Sequence, residues 1–179
     1  YPILEFDPSP RAVIEPHAPR PLNPPPEACV LVFFGEIIRK LARAKRLRRV
    51  ITLRSEMGPH HVYEMEVDGR RLALFHSAVG APLAAGLLDE VIACGCRYFV
   101  ACGGAGVLDR EIAVGHVVVP ISAVRDEGTS YHYAPPSREI EACPEAVRVI
   151  EQTLIERDVP YVKGKTWTTD AFYRETPAK

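Results

Sequence analysis

The stretch Val62-Tyr63-Glu64-Met65-Glu66-Val67 alternates apolar and polar residues, Asp68-Gly69 interrupts it, and Leu72-Ala73-Leu74-Phe75 returns. Alternation with period two places successive side chains on opposite faces of a strand. Asp-Gly tolerates the positive φ angles of a type I′ turn, so the segment is expected to be a β-hairpin. Its surroundings are of another kind. Cys29-Val30-Leu31-Val32-Phe33-Phe34 and Tyr98-Phe99-Val100-Ala101-Cys102 are continuous apolar runs, each followed at once by glycine. Such runs suit strands buried on both faces, as parallel strands are. A chain with both kinds of strand points to an α/β domain on a mixed sheet.

Helices fill the intervals. One is expected from Gly35 to about Lys45, its basic end (Lys40, Arg43, Lys45, Arg46, Arg48, Arg49) facing solvent. Val50 to Arg54 reads as a short strand. Pro82 opens a second helix with Leu83, Leu87, Val91 and Cys94 on one face, and Gly95 stops it. Val117-Val118-Val119 reads as a strand ended by Pro120. Pro144 opens a third helix with Val147, Ile150 and Leu154 inward, and Tyr161 to Trp167 is a further strand. Residues 1–27 differ: Pro8, Pro10, Pro16, Pro19, Pro21 and Pro24-Pro25-Pro26 leave few N–H groups for a ladder. They are expected to form an extended arm preceding a domain over 28–179.

Composition narrows the function classes. A formal charge of −1, with no aromatic residues among the basic ones after Gly35, argues against a nucleic-acid partner. Small anionic ligands need only a few local donors and stay open. No apolar run reaches the roughly 20 residues of a membrane span. The first residues show no basic start followed by an apolar stretch, so no signal peptide is expected. Five cysteines without C-x-x-C spacing read as a reduced, mostly buried, cytoplasmic set.

Ligands of open α/β sheets gather beyond the C-terminal ends of strands. Three such ends stand out: Phe34-Gly35, Cys102-Gly103-Gly104-Ala105-Gly106 and Thr168-Thr169-Asp170. Glycine there lets backbone N–H groups approach an anion or a flat ring, although tight packing accounts for such glycines equally well. Ala123 to Tyr133 reads as a polar loop holding Arg125, Asp126, Glu127, two hydroxyls and His132. His132 suits a structural role. His60-His61 have no Cys or carboxylate at ligand spacing, so no metal is expected there.

Taken in order, these segments resemble the nucleoside phosphorylase family that includes uridine phosphorylase and the hexameric purine nucleoside phosphorylases. The matching pieces are V-L-V-F-F-G (30–35), the hairpin at Asp68-Gly69, S-A-V-G-A-P (77–82), G-G-A-G-V-L (103–108), V-G-H-V-V-V-P (114–120), A-V-R-D-E-G-T-S-Y-H-Y-A-P (123–135) and T-T-D-A-F-Y (168–173). R-D-E-G-T-S and T-D-x-F-Y are the most specific, and the likeness runs from about residue 29 to the last.

The resemblance implies a three-layer α/β/α sandwich around a mixed, partly barrel-like sheet. It implies a homo-oligomer, commonly a trimer of dimers, with active sites shared across the dimer contact. It implies cleavage of a nucleoside's N-glycosidic bond, with phosphate attacking the anomeric carbon as the base departs, and no metal or organic cofactor. Gly35 matches the first phosphate-loop glycine, and Gly104 stands where relatives place a threonine that contacts phosphate and ribose. Arg54 matches the arginine a neighbouring subunit lends to phosphate. Ala105 and Gly106 fall at the base-facing turn, and Phe172 at the aromatic that stacks on the base. Arg39 has the family's distance from Gly35, whereas the apolar register of its helix (Ile38 and Leu41 inward) makes it an exposed residue.

Two departures bear on the chemistry. The family's arginine before the fourth strand's glycine turn is here Ala101, and the threonine of that turn is Gly104. A hydrolase using water, or a nucleoside-binding relative without activity, is therefore the alternative. The family also continues through a strand carrying a Met-Glu pair that holds the ribose hydroxyls, so the resemblance implies a domain incomplete at Lys179.

Overall fold

The computed structural model describes residues 1–16 and 26–179. They divide into two compact units, Pro10–Ala105 and Tyr1–Ser9 with Gly106–Lys179. Of the expected N-terminal arm, Pro19, Pro21, Pro24 and Pro25 lie outside the described residues.

The Pro10–Ala105 unit holds β1 (Ala28–Val32), α1 (Gly35–Arg43), β2 (Arg48–Ser55), β3 (Gly58–Val67), β4 (Arg70–His76), α2 (Ala81–Ala93) and β5 (Tyr98–Cys102). The five strands form one sheet in the order β2-β3-β4-β1-β5. β1 runs parallel to both β4 and β5, while β2, β3 and β4 are joined antiparallel. The hairpin is β3–β4. Asp68 and Gly69 take φ of 50° and 74°, the two positive values a type I′ turn demands.

Alternation along the strands sorts the core. Cys29 and Leu31 of β1, Ala73 and Phe75 of β4, and Leu87, Val91 and Cys94 of α2 share one cluster. Val32, Leu74 and Ile38 of α1 share another, with Leu41 against it. Each helix therefore covers its own face of the sheet. Gly80 caps the start of α2 at φ 104°, and Gly95 at φ 119° ends the turn after it, a conformation that side chains avoid.

Two expectations about burial are corrected in this unit. β5 is largely exposed, with Tyr98 at 69% and Val100 at 46%. It stands at the end of the strand order and pairs with β1 alone, and a five-residue apolar run does not reveal that position. Phe33 and Phe34 leave β1 and lie half-open to solvent. Across the chain the cysteines are mostly buried, as expected: Cys29, Cys94 and Cys96 are buried, Cys102 and Cys143 are exposed, and all five are free.

The other unit holds β6 (Val117–Asp126), β7 (Glu139–Glu141), α3 (Pro144–Glu156) and β8 (Tyr161–Thr169), with short 3-10 turns at Pro2–Leu4, Thr129–His132 and Phe172–Arg174. Its sheet has the order β7-β6-β8, with β6 antiparallel to β7 and parallel to β8. Pro120 does not end β6. The register shifts between Pro120 and Ser122, so the missing N–H falls at a bulge and the strand runs on to Asp126. The segment expected as a polar loop, Ala123 to Tyr133, consequently begins as strand through Asp126. The fold is α/β with two mixed sheets, and neither closes into a barrel among the described residues.

Candidate functional site

In the Pro10–Ala105 unit the C-terminal ends of β4, β1 and β5 lie side by side. Val32 is the register partner of His76 on one flank and of Cys102 on the other. Beyond the sheet the Phe33 N–H donates to the Cys102 carbonyl at 3.0 Å, so the two glycine turns leave together. A Cβ on Gly103 would stand 3.1 Å from the Phe33 ring, tighter than most side chains pack, so the ring would have to give by a few tenths of an ångström. At Gly104 a Cβ would meet Phe34 at an ordinary 3.5 Å, so space does not demand that glycine. A Cβ on Gly35 would meet the His76 imidazole at 3.1 Å and Arg39 Nη1 at 3.4 Å.

The structure thus brings Gly35 and Gly104 together and sets Arg54 apart. Arg54 is exposed on β2, the far edge of the sheet, with β3 and β4 between it and β1. Ala105 closes this unit, exposed, and Arg39 is exposed as its helical register requires. His60 and His61 face hydroxyls across the β2–β3 ladder, with His60 Nε2 3.1 Å from Ser55 Oγ and His61 Nδ1 3.1 Å from Thr52 Oγ1. Burial, then the charge of Arg49, lowers the His61 pKa. No group of three or more His, Cys, Asp or Glu side chains among the described residues could hold a metal ion.

The end of β6 and β8 is built differently. Arg125 is 5% exposed. Its Nε donates to Ser130 Oγ at 2.9 Å, Nη1 to Ser137 Oγ at 2.8 Å and the Pro135 carbonyl at 2.7 Å, and Nη2 to the Ala134 carbonyl at 3.2 Å. The Tyr131 ring lies 4.3 Å from the guanidinium carbon. Glu127 takes the Ser130 N–H at 2.9 Å and its hydroxyl as well. Asp126 accepts from Trp167 Nε1 at 3.1 Å and from Lys179 Nζ at 2.7 Å. The Lys179 ammonium, then the indole, hold its carboxyl below the usual range.

The two most specific sequence pieces meet in this unit. Asp170 accepts from the Gly128 N–H at 2.9 Å, and its own N–H donates to the Asp126 carbonyl at 3.2 Å. Directly after it Phe172 and Tyr173 form an exposed aromatic pair, ring centroids 4.3 Å apart. Gly106 and His132 are exposed.

A sequence profile described as the phosphorylase superfamily matches residues 27–179. The chain belongs to the phosphorylase superfamily. A guanosine phosphorylase from Halorubrum lacusprofundi is 30% identical over 121 residues, 65% of this chain and 48% of that protein. A uridine phosphorylase from Salmonella typhimurium is 30% identical over 114 residues, 62% of this chain and 44% of its own length. This member of the superfamily therefore spans about half the length of the curated relatives it matches.

Solved structures agree on the fold. A uridine phosphorylase from Vibrio fischeri superposes with a TM-score of 0.70 at 22% identity, covering 84% of this chain and 61% of that one. A purine nucleoside phosphorylase from Toxoplasma gondii, solved in complex with immucillin-H, gives 0.74 at 16% identity, with 87% and 62% covered. Against this phosphorylase-superfamily fold, sequence reasoning passed over His76, Phe33 and the burial of Arg125. Only His76 left a trace: it is the first polar residue after the apolar run Leu72–Phe75.

Proposed function

We propose that the whole protein is a nucleoside phosphorylase that cleaves the N-glycosidic bond of a purine or pyrimidine nucleoside with phosphate, giving free base and a (deoxy)ribose 1-phosphate. Beyond family membership, the observation that carries this reading is the pair of glycine turns side by side beyond parallel β1 and β5, where backbone can approach an anion. Gly35 and Gly104 hold phosphate in this reading. Arg54, on the far edge of its sheet, reaches the phosphate of a neighbouring subunit. Ala105 and Gly106 offer backbone to the nucleoside, and Phe172 offers a ring face to the base. Catalysis comes from holding phosphate in line with C1′ and stabilising the charge that develops as the base leaves.

The same reading carries a three-layer α/β/α, partly barrel-like architecture, a domain over 28–179 preceded by a Pro-rich arm, and a homo-oligomer in the cytoplasm. Five free cysteines accord with a reducing compartment.

One observation favours a second reading. Ala101 and Gly104, at and just past the end of β5, offer neither cation nor hydroxyl, which suits a nucleosidase using water. Base release from a mixed nucleoside panel, with and without millimolar phosphate, separates the two. Release that needs phosphate is the expected result. Release indifferent to phosphate makes the protein a hydrolase, and tight nucleoside binding without release makes it a binding protein.

A further inference from the structure

We infer that the segment Tyr1–Ser9 is a clasp on the end of β8, with Ile3 as a positioning residue. Ile3 closes over the hydrogen bond between Gly128 and Asp170 and so fixes the turn that presents Phe172. The role of Phe172 against the base rests on the reading above; the clasp does not depend on it.

The segment is preset to dock. Pro2 opens a 3-10 turn in which the Leu4 N–H donates to the Tyr1 carbonyl at 2.8 Å and the Glu5 N–H to the Pro2 carbonyl at 3.0 Å. The Asp7 carboxylate takes the Ser9 N–H at 2.8 Å, and Pro8 and Pro10 fix φ on either side of that serine. A chain so restrained has little freedom left to lose on docking. Tyr1–Ser9 belongs to the same compact unit as Gly106–Lys179, not to the unit that follows it in sequence. Its turn packs against the one at Thr129–His132.

The contact point is Gly128. Its φ of −86° is open to any residue, so the backbone does not ask for glycine there. Space is what is limited. A Cβ on Gly128 would stand 3.2 Å from Ile3 Cδ1 and 3.8 Å from Asp170 Oδ2, so the isoleucine and the carboxylate meet around one point. There the Gly128 N–H donates to Asp170 Oδ2 at 2.9 Å, and the Asp170 N–H donates to the Asp126 carbonyl at 3.2 Å. These two bonds tie the end of β8 to the end of β6, and the turn Phe172–Arg174 follows at once. Asp170 is exposed, so water competes for its oxygen wherever nothing apolar covers it. Ile3 supplies that cover. It is 40% exposed, the burial of a lid at the surface and not of a core residue. A methyl group over the bond excludes water and lowers the local dielectric, which strengthens a charge-assisted hydrogen bond. Without it Asp170 loosens, and the exposed pair Phe172–Tyr173 loosens with it.

The test uses the full chain and two readouts: amide hydrogen exchange at Gly128, and the KM for nucleoside and for phosphate with the best substrate of a mixed nucleoside panel. Ile3→Ala speeds exchange at Gly128 about fivefold, the size of a partly lost hydrogen bond, and raises the nucleoside KM by a similar factor with the phosphate KM unchanged. Ile3→Val, which keeps an apolar cover, stays near native in both. In Asp170→Ala the bond is already gone, and adding Ile3→Ala speeds exchange at Gly128 no further. Native exchange at Gly128 in Ile3→Ala overturns the clasp. Faster exchange with an unchanged nucleoside KM overturns the positioning role. A native protein that releases no base overturns the nucleoside reading and with it the role of Phe172, while exchange at Gly128 still decides the clasp. Thermal melting of each variant separates a loosened turn from a lost fold.

Discussion

The two strand ends differ in what their side chains do. At β6 and β8 the charges are matched at home: Arg125 has four oxygens, Asp126 an indole and an ammonium, Glu127 a serine, Asp170 a backbone N–H. At β1, β4 and β5 there are glycines, and a histidine and an arginine without partners among the described residues. The denser motif is thus the more structural one. A buried charge is tolerated only when its hydrogen bonds are filled from within, and groups so filled have little left for a ligand. An end made largely of backbone, with a histidine and an arginine left open, keeps its capacity free.

The comparison can be broken first at Arg125. Arg125→Ala removes a buried guanidinium and strands two carbonyls and two hydroxyls, so the protein loses about 3 kcal/mol or more of stability. Arg125→Lys recovers less than half, because an ammonium cannot reproduce the fork. Urea denaturation measures both. Native stability with lost activity in Arg125→Ala would make this end a ligand site and erase the contrast.

At the open end, Gly103→Ala sharpens the contrast. Its Cβ meets the Phe33 ring at 3.1 Å, and the expected cost is about 1–2 kcal/mol of overpacking. Adding Phe33→Ala in the same chain restores most of that loss, as a double-mutant cycle in urea would read. Additive losses would mean that Phe33 is not what forbids a side chain there.

The smallest effect asks whether openness belongs to the whole Pro10–Ala105 unit or to its strand ends alone. Away from those ends, Glu64 joins Arg71 and Arg48 across three strands, at 2.5 and 2.8 Å. The Arg71 hydrogen bond is the main reason its carboxyl lies below its ordinary 4.5. A depressed carboxyl contributes stability that is present above its unfolded pKa and lost as pH falls through the folded value. Glu64→Gln is therefore expected to cost about 0.5–1 kcal/mol at pH 7 and less at pH 3. An equal cost at both pH values would show that charge is not what the pair contributes.

Much of this was legible where local chemistry decides. The hairpin declared itself through period two and Asp68-Gly69, and α2 through Pro82, its apolar face and Gly95. Gly35 and Gly104 were legible as glycines ending apolar runs. What failed depends on distant partners. Tyr98–Cys102 reads as buried because a run of apolar residues cannot say whether a second strand lies beyond it. Pro120 reads as a strand end because the bulge that accommodates it is a property of its pairing with β8. Arg125 reads as a loop charge because its acceptors come from residues five to twelve positions on, folded back over it. His76 went unseen because its nearness to Gly35 arises from the parallel register of β4 with β1, which no spacing in the chain encodes.

The strand order has one more consequence. From β1 the chain passes through α1 and the antiparallel strands to β4 on one flank, then crosses by way of α2 to β5 on the other. Neighbouring strands whose connections leave toward opposite faces, β1 through α1 and β4 through α2, favour a cleft at their tips, a topological switch point, whatever residues line it. The cleft is thus a product of wiring and its chemistry a product of a few replaceable side chains. Substitutions at Ala101 or Gly104 would alter that chemistry while the order of the sheet stays fixed.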